Sequence, residues 1–90
     1  MIYRATVKVQ DGHFILMEFP DLPGCQTFVD LNVPESRKPY KVAKEALEGH
    51  VQTLAMLGKP VPKPSYSGPG MMVDLSGSLE KLIRDCGIWK

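Results

Sequence analysis

Residues 2–19, IYRATVKVQDGHFILMEF, decide the fold class. Tyr3, Ala5, Val7 and Val9 fall on one side of an extended segment, with Arg4, Thr6 and Lys8 on the other. That is the two-residue period of a half-buried strand. Asp11-Gly12 follows, a strong hairpin signal because glycine accepts positive φ without steric cost. His13 to Phe19 reads as the returning strand, with Ile15, Met17 and Phe19 sharing its core face. The other face carries Phe14 and Leu16 beside Glu18, too apolar for a fully solvated surface. A covering element is expected there, either the last helix of the chain or a second subunit, which predicts a dimer or larger assembly if the helix lies elsewhere.

Outward from the hairpin, Pro20-Asp21-Leu22-Pro23-Gly24 breaks the strand, and Gln26-Thr27-Phe28-Val29 reads as a short third strand. Residues 30–39 are a polar, proline-bounded connection. From Tyr40 the period changes: Ala43, Ala46, Leu47, Val51, Leu54 and Leu57 recur at helical spacing, opposite Lys41, Lys44, Glu45, Glu48 and Gln52. Pro39 suits the first turn of this helix and Gly58 its C-terminal cap. Residues 59–70, KPVPKPSYSGPG, hold four prolines and two glycines and read as a stiff connector. Met71 to Leu75 offers a fourth strand. Ser76 or Ser78 then caps a short helix with Leu79, Leu82, Ile83 and Cys86 on one stripe, Gly87 at its end, and Ile88 and Trp89 placed to dock. The order β-β-β-α-β-α predicts an α+β fold, a three- to four-stranded antiparallel sheet packed on one main helix.

A chain of 90 residues has room for one domain and one core, burying roughly 60–65% of its unfolded surface, so the stability margin is narrow. Eleven basic and ten acidic residues leave a net charge of +1, which provides no single-sign field for nucleic acid or an anionic membrane. The two cysteines, Cys25 and Cys86, form no CxxC pair and read as reduced thiols. No apolar leader or membrane-length run is present in the sequence, and a cytoplasmic protein is expected.

Catalytic chemistry is hard to assemble from these residues. His13 and His50 are the only histidines. The first lies at a hairpin and the second in the helix's apolar stripe, so neither suggests a metal ligand. No phosphate loop, nucleophile elbow or metalloprotease motif occurs, and no cofactor is expected. Asp11, Asp21 and Asp30 stand at strand ends, where carboxylates can gather Mg²⁺ for phosphodiester cleavage. Turn chemistry accounts for all three. Cys25 has no basic neighbour in sequence to activate it and reads as a small buried hydrophobe.

Two segments carry a resemblance to a known family. Phe19-Pro20-Asp21-Leu22-Pro23-Gly24-Cys25, after two short strands, resembles the signature of the HicB antitoxins. Ala43-Lys44-Glu45-Ala46-Leu47 and then Gly58-Lys59-Pro60-Val61-Pro62-Lys63-Pro64-Ser65 resemble that family's helix and the exit from it. The likeness spans residues 1–65, and residues 66–90 are expected to complete the same domain with a strand and short helix. It implies a partial, degraded RNase H-like fold without catalytic carboxylates. The implied function is to bind and silence a HicA-type toxin, a small RNA-cleaving protein. The alternative within the same resemblance is an orphan regulatory or DNA-associated adaptor, and an active RNase H-like nuclease is a third reading.

The chain departs from the family pattern in two places. Val29-Asp30-Leu31-Asn32 stands where the family has a Gly-Asp-Thr turn, with about four extra residues before the helix, a size surface loops accept. Many members also carry a C-terminal DNA-binding module, and residues 66–90 are too few for the strand plus such a module. Specific DNA binding by this chain alone is therefore not expected. For the toxin contact, the two prolines of the 20–24 loop reduce the ordering entropy lost on docking. Asp21, Leu22, Pro23 and Gly24 are the candidate partner-binding residues, Asp21 as a charge toward a phosphate-binding site and Leu22 as an apolar anchor. The competing reading is structural, with Phe19 and Leu22 packed inward.

Overall fold

The computed structural model describes residues 1–32 and 38–86. Strand β1 spans Ile2–Asp11, β2 Phe14–Glu18 and β3 Gln26–Asp30; helix α1 spans Pro39–Met56, β4 Met71–Asp74 and α2 Gly77–Cys86. The four strands form one antiparallel sheet in the order β3-β2-β1-β4. The expected element order and α+β class are present. Parts of the 30–39 connection, together with Gly87, Ile88 and Trp89, lie outside the described residues.

Register follows the alternation of apolar side chains. Val7 pairs with Met17 and Val9 with Ile15, Ile15 pairs with Val29, and Tyr3 pairs with Val73, so these residues share one face. A bulge between Val9 and Asp11 closes the hairpin. Tyr3, Ala5, Ile15, Met17, Val29 and Val73 join Val42, Ala43, Leu47 and Val51 of α1 and Ile83 of α2 in a single buried cluster. Both helices thus lie on that one face, and α2 packs against α1.

Helix α1 begins at Pro39 and ends where the sequence predicts. Gly58 has φ of 67°, its N–H bonds the Ala55 carbonyl at 3.1 Å, and the Lys59 N–H bonds the Leu54 carbonyl at 2.9 Å. This pair of bonds is the Schellman arrangement that satisfies the last carbonyls of a helix. The start of α2 is held from α1: Glu48 Oε2 accepts the Ser76 N–H at 2.9 Å, and Lys44 Nζ donates to the Asp74 carbonyl at 2.6 Å. A charged pair that looks like a solvated helix face in sequence is therefore part of the join between helix, β4 and α2.

Two expectations about coverage change. The last helix does not cover the face of Phe14 and Leu16; it sits with α1 on the other side. Phe28, Met72 and Phe14 on that second face are 60%, 59% and 36% exposed, and no described element lies over them. On the core face, Val7 and Val9 point as the alternation requires, yet they are 45% and 74% exposed. Their register partners Met17 and Ile15, and Val29 beyond, are buried, so the helices cover β2 and β3 at this level and leave the edge of β1 open. No helix of the described residues is long and apolar enough to cross a membrane.

Candidate partner-binding site

The Pro20–Gly24 loop is two successive turns. The Leu22 N–H bonds the Phe19 carbonyl at 2.9 Å with Pro20 in the second position, and the Cys25 N–H bonds the Leu22 carbonyl at 2.9 Å with Pro23 in the second position. Gly24, third in the latter turn, has φ of 87°, the conformation that a type II turn demands and a side chain resists. The Phe19 N–H closes the loop on the Cys25 carbonyl at 3.0 Å. Proline and glycine fall where each turn needs them, which is why this short sequence makes a rigid loop.

The three-residue spacing of the turns sorts the side chains. Phe19, Leu22 and Cys25 point inward and are nearly fully buried, while Pro20, Pro23 and Gly24 are exposed. Of the expected partner-binding residues, Pro23 and Gly24 lie on the surface and Leu22 is in the core. Asp21 is half-buried and turned toward the connector. Its carboxylate accepts from Ser65 Oγ at 2.7 Å, from Ser65 N at 3.0 Å, and from Tyr66 N at 3.0 Å and 3.1 Å on its two oxygens. Burial by itself would raise the carboxyl pKa, but the Ser65 and Tyr66 donors outweigh it and hold the group below its usual value. The two resemblance-bearing segments are thus joined by one side chain.

Tyr3 completes the join. Fully buried, it donates its hydroxyl to the Pro62 carbonyl at 2.6 Å. Burial first, then the negative charges of Asp21 and Glu80, push the phenol up to about 12. A raised folded value means that the unfolded chain releases its proton first. The contribution of Tyr3 is therefore fully present below about pH 10, the ordinary tyrosine value. It declines as pH rises from there toward about 12. Tyr3→Phe is expected to cost about 1 kcal/mol at neutral pH and to lose this part of the alkaline decline, as read by urea unfolding across the alkaline range.

Beside Gly24 opens a shallow cleft of about 300 Å³ between the loop and α1. Cys25, Ala46 and Gly49 line it, with Gln26, Glu45, His50 and Thr53 contributing the polar groups. Cys25 behaves as the sequence suggests: it is 4% exposed, its thiol lies 3.7 Å from the Ala46 carbonyl, and burial pushes it up to about 11. It is no nucleophile at neutral pH. His50 departs from expectation, since the buried stripe of α1 is Val42, Ala43, Leu47 and Val51 and His50 is half-buried at the cleft.

Besides Gly24, one signal for the cleft is present in the sequence. Gly49 sits inside a helix, where glycine costs about 1 kcal/mol relative to alanine. A Cβ placed there would meet nothing within 4 Å, so packing does not require the glycine. Its effect is to leave the cleft beside Cys25 open.

Of the strand-end carboxylates, Asp21 and Asp30 are engaged in different places, and the Asp11 side chain lies outside the described residues. Asp30 Oδ1 accepts the Asn32 N–H at 2.9 Å, a local turn bond, and Asp21 is engaged by the connector. Among the described residues no three histidine, cysteine or carboxylate side chains are grouped to hold a metal ion. His13 is exposed and stacks at a tilt on Phe14, ring centroids 4.4 Å apart. No family model matches this chain, and no curated protein or solved structure matches it.

Proposed function

We propose that the protein is a HicB-like antitoxin that acts by binding and occluding a HicA-type ribonuclease, not by catalysis. One observation carries the reading. Asp21 of the Phe19–Cys25 segment grips Ser65 and Tyr66 at the end of the proline-rich segment, so the two stretches that resemble the family form one physical unit. A partial RNase H-like origin is part of the same proposal and rests on the same resemblance.

In this reading the toxin contacts the exposed Pro23–Gly24 apex and the cleft beside it. A rigid turn loses little entropy on docking, and Glu45 on the rim adds negative charge toward a partner built to hold phosphates. The orphan-adaptor alternative shares this surface and differs only in its partner.

The test is inhibition of RNA cleavage by a HicA-type ribonuclease, taken from a neighbouring gene for a short basic protein with a catalytic histidine. Stoichiometric inhibition is expected, and undiminished cleavage with the chain in excess rejects the proposal. Gly49→Leu separates binding from folding. It fills the cleft and raises helix propensity by about 1 kcal/mol, so thermal stability is expected to hold or rise while affinity for the ribonuclease falls at least tenfold. Unchanged affinity in that variant removes the cleft from the interface.

A further inference from the structure

We propose that the open edge of β1 pairs with the same edge of a second copy, antiparallel and centred on Val9, to make one sheet continuous across two chains. This goes beyond toxin binding and does not depend on it, because the hairpin end of the sheet lies opposite the Pro23–Gly24 apex.

The open edge arises from unequal strand lengths. β4 pairs only with Ile2–Ala5, while β1 continues to Asp11. Beyond Ala5 no described strand lies on that side, and an unpaired strand edge is a ready template for another strand. The orientation of the backbone can be read at Gly70. A Cβ there would stand 2.6 Å from the Ala5 carbonyl oxygen and 3.6 Å from the Ala5 nitrogen, so Ala5 turns its polar groups to this edge. Alternate residues of a strand turn theirs the same way. Val7 and Val9 therefore present N–H and C=O groups outward, and their side chains are among the exposed apolar ones at 45% and 74%.

A second copy fits this edge because the segment is self-complementary in one register. Facing residues in a two-fold antiparallel pair share a sheet face, so the centre falls on a residue. A Val7 centre would set Val9 against Ala5, which β4 already holds, and the bulge falls at Gln10, which leaves Lys8 or Val9. Centring on Lys8 sets two ammonium groups directly opposite each other, which is unfavourable. Centring on Val9 sets valine against valine and Lys8 against Gln10, with no like charges facing. That register also carries the partner's hairpin tip past Val7 toward Gly70. A groove of about 430 Å³ lies there, with Thr6, Lys8, Tyr66, Pro69 and Gly70 among its lining residues.

The experiment is sedimentation equilibrium of the full chain at tens of micromolar, with three variants. The parent protein is expected to be a dimer. Val9→Pro removes an N–H that faces outward and bonds no described strand, a place where an edge strand accepts proline. It is expected to be a monomer with an unchanged circular dichroism spectrum. Val9→Lys, at an exposed position that tolerates charge, places two ammonium groups face to face and is expected to weaken the dimer at least tenfold, with recovery at high salt. Phe28→Asp, on the uncovered second face, is expected to leave the dimer intact. A monomeric parent overturns the proposal. So does a dimer that survives both Val9 variants, or one dissolved by Phe28→Asp, which would place the contact on the second face.

Discussion

Leu22→Ala is expected to lower the unfolding free energy by about 2–5 kcal/mol, measured by urea denaturation at neutral pH. Leu22 is 1% exposed, so truncation removes a whole side chain from the core. The cavity cannot close easily. Leu22 sits where two turns meet, its N–H bonded to Phe19 and its carbonyl to Cys25, and the flanking prolines hold φ near −65°. A rigid backbone keeps the space open, which favours the upper part of the range. A domain of this length has a total stability of roughly 5–13 kcal/mol at about 0.05–0.15 kcal/mol per residue. The change therefore takes a large share of it. Leu22→Met conserves volume and is expected to cost less than about 1.5 kcal/mol. A loss under 1 kcal/mol for the alanine variant would show that the side chain is not packed as described.

This result bears on how binding is to be probed. An anchor that reaches a partner must leave the core, and Leu22 fills the core. A drop in ribonuclease binding by Leu22→Ala reports partial unfolding before it reports a lost contact. Gly49 is the position where binding and folding come apart, because it neither fills the interior nor sets a turn, whereas Pro23 and Gly24 also fix the backbone of the second turn.

Local chemistry made the sheet hairpin, α1 and the turn loop legible in the sequence. Alternation in Tyr3–Val9 sets the face, Gly58 ends the helix, and Pro23-Gly24 writes a turn directly. What the sequence did not show depends on distant partners. Val7 and Val9 have the correct face, but their exposure is decided by where α1 and α2 land on the sheet. Lys44 and Glu48 have the spacing of a surface pair and also hold β4 and α2. The role of Asp21 depends on Ser65, 44 residues away, and a turn aspartate looks the same in sequence with or without such a partner. The cleft had a weak local mark in Gly49, whose lack of a packing reason becomes visible only once its surroundings are known.

Asp21→Ala is expected to cost about 2–3 kcal/mol at neutral pH, less than the sum for three donors to a charged acceptor at roughly 1.5–3 kcal/mol each, because the site is partly solvated and water replaces some of the loss. Asp21→Asn keeps one accepting oxygen but turns an amide NH₂ toward donors, so its cost is expected to fall between alanine and the parent. The pH dependence identifies the mechanism. The folded carboxyl titrates below its usual value, so the unfolded chain takes up the proton first. The stabilisation is then fully present above about pH 4, the ordinary aspartate value, and is lost as pH falls through the lower folded value. The gap between parent and Asp21→Ala should accordingly narrow on acidification. A gap that is the same at every pH, or one below 0.5 kcal/mol at neutral pH, rules out the carboxylate as the latch. The consequence should also reach beyond the loop. The connector that Asp21 holds supplies the Ser67 and Gly68 carbonyls to Arg4 at 2.8 Å and 3.0 Å and delivers Gly70 against Ala5. Releasing Ser65 and Tyr66 therefore loosens the lead into β4, and hydrogen exchange at Met71–Asp74 should accelerate more than at β2 or β3. Equal acceleration across all four strands would mean that the latch acts on global stability alone.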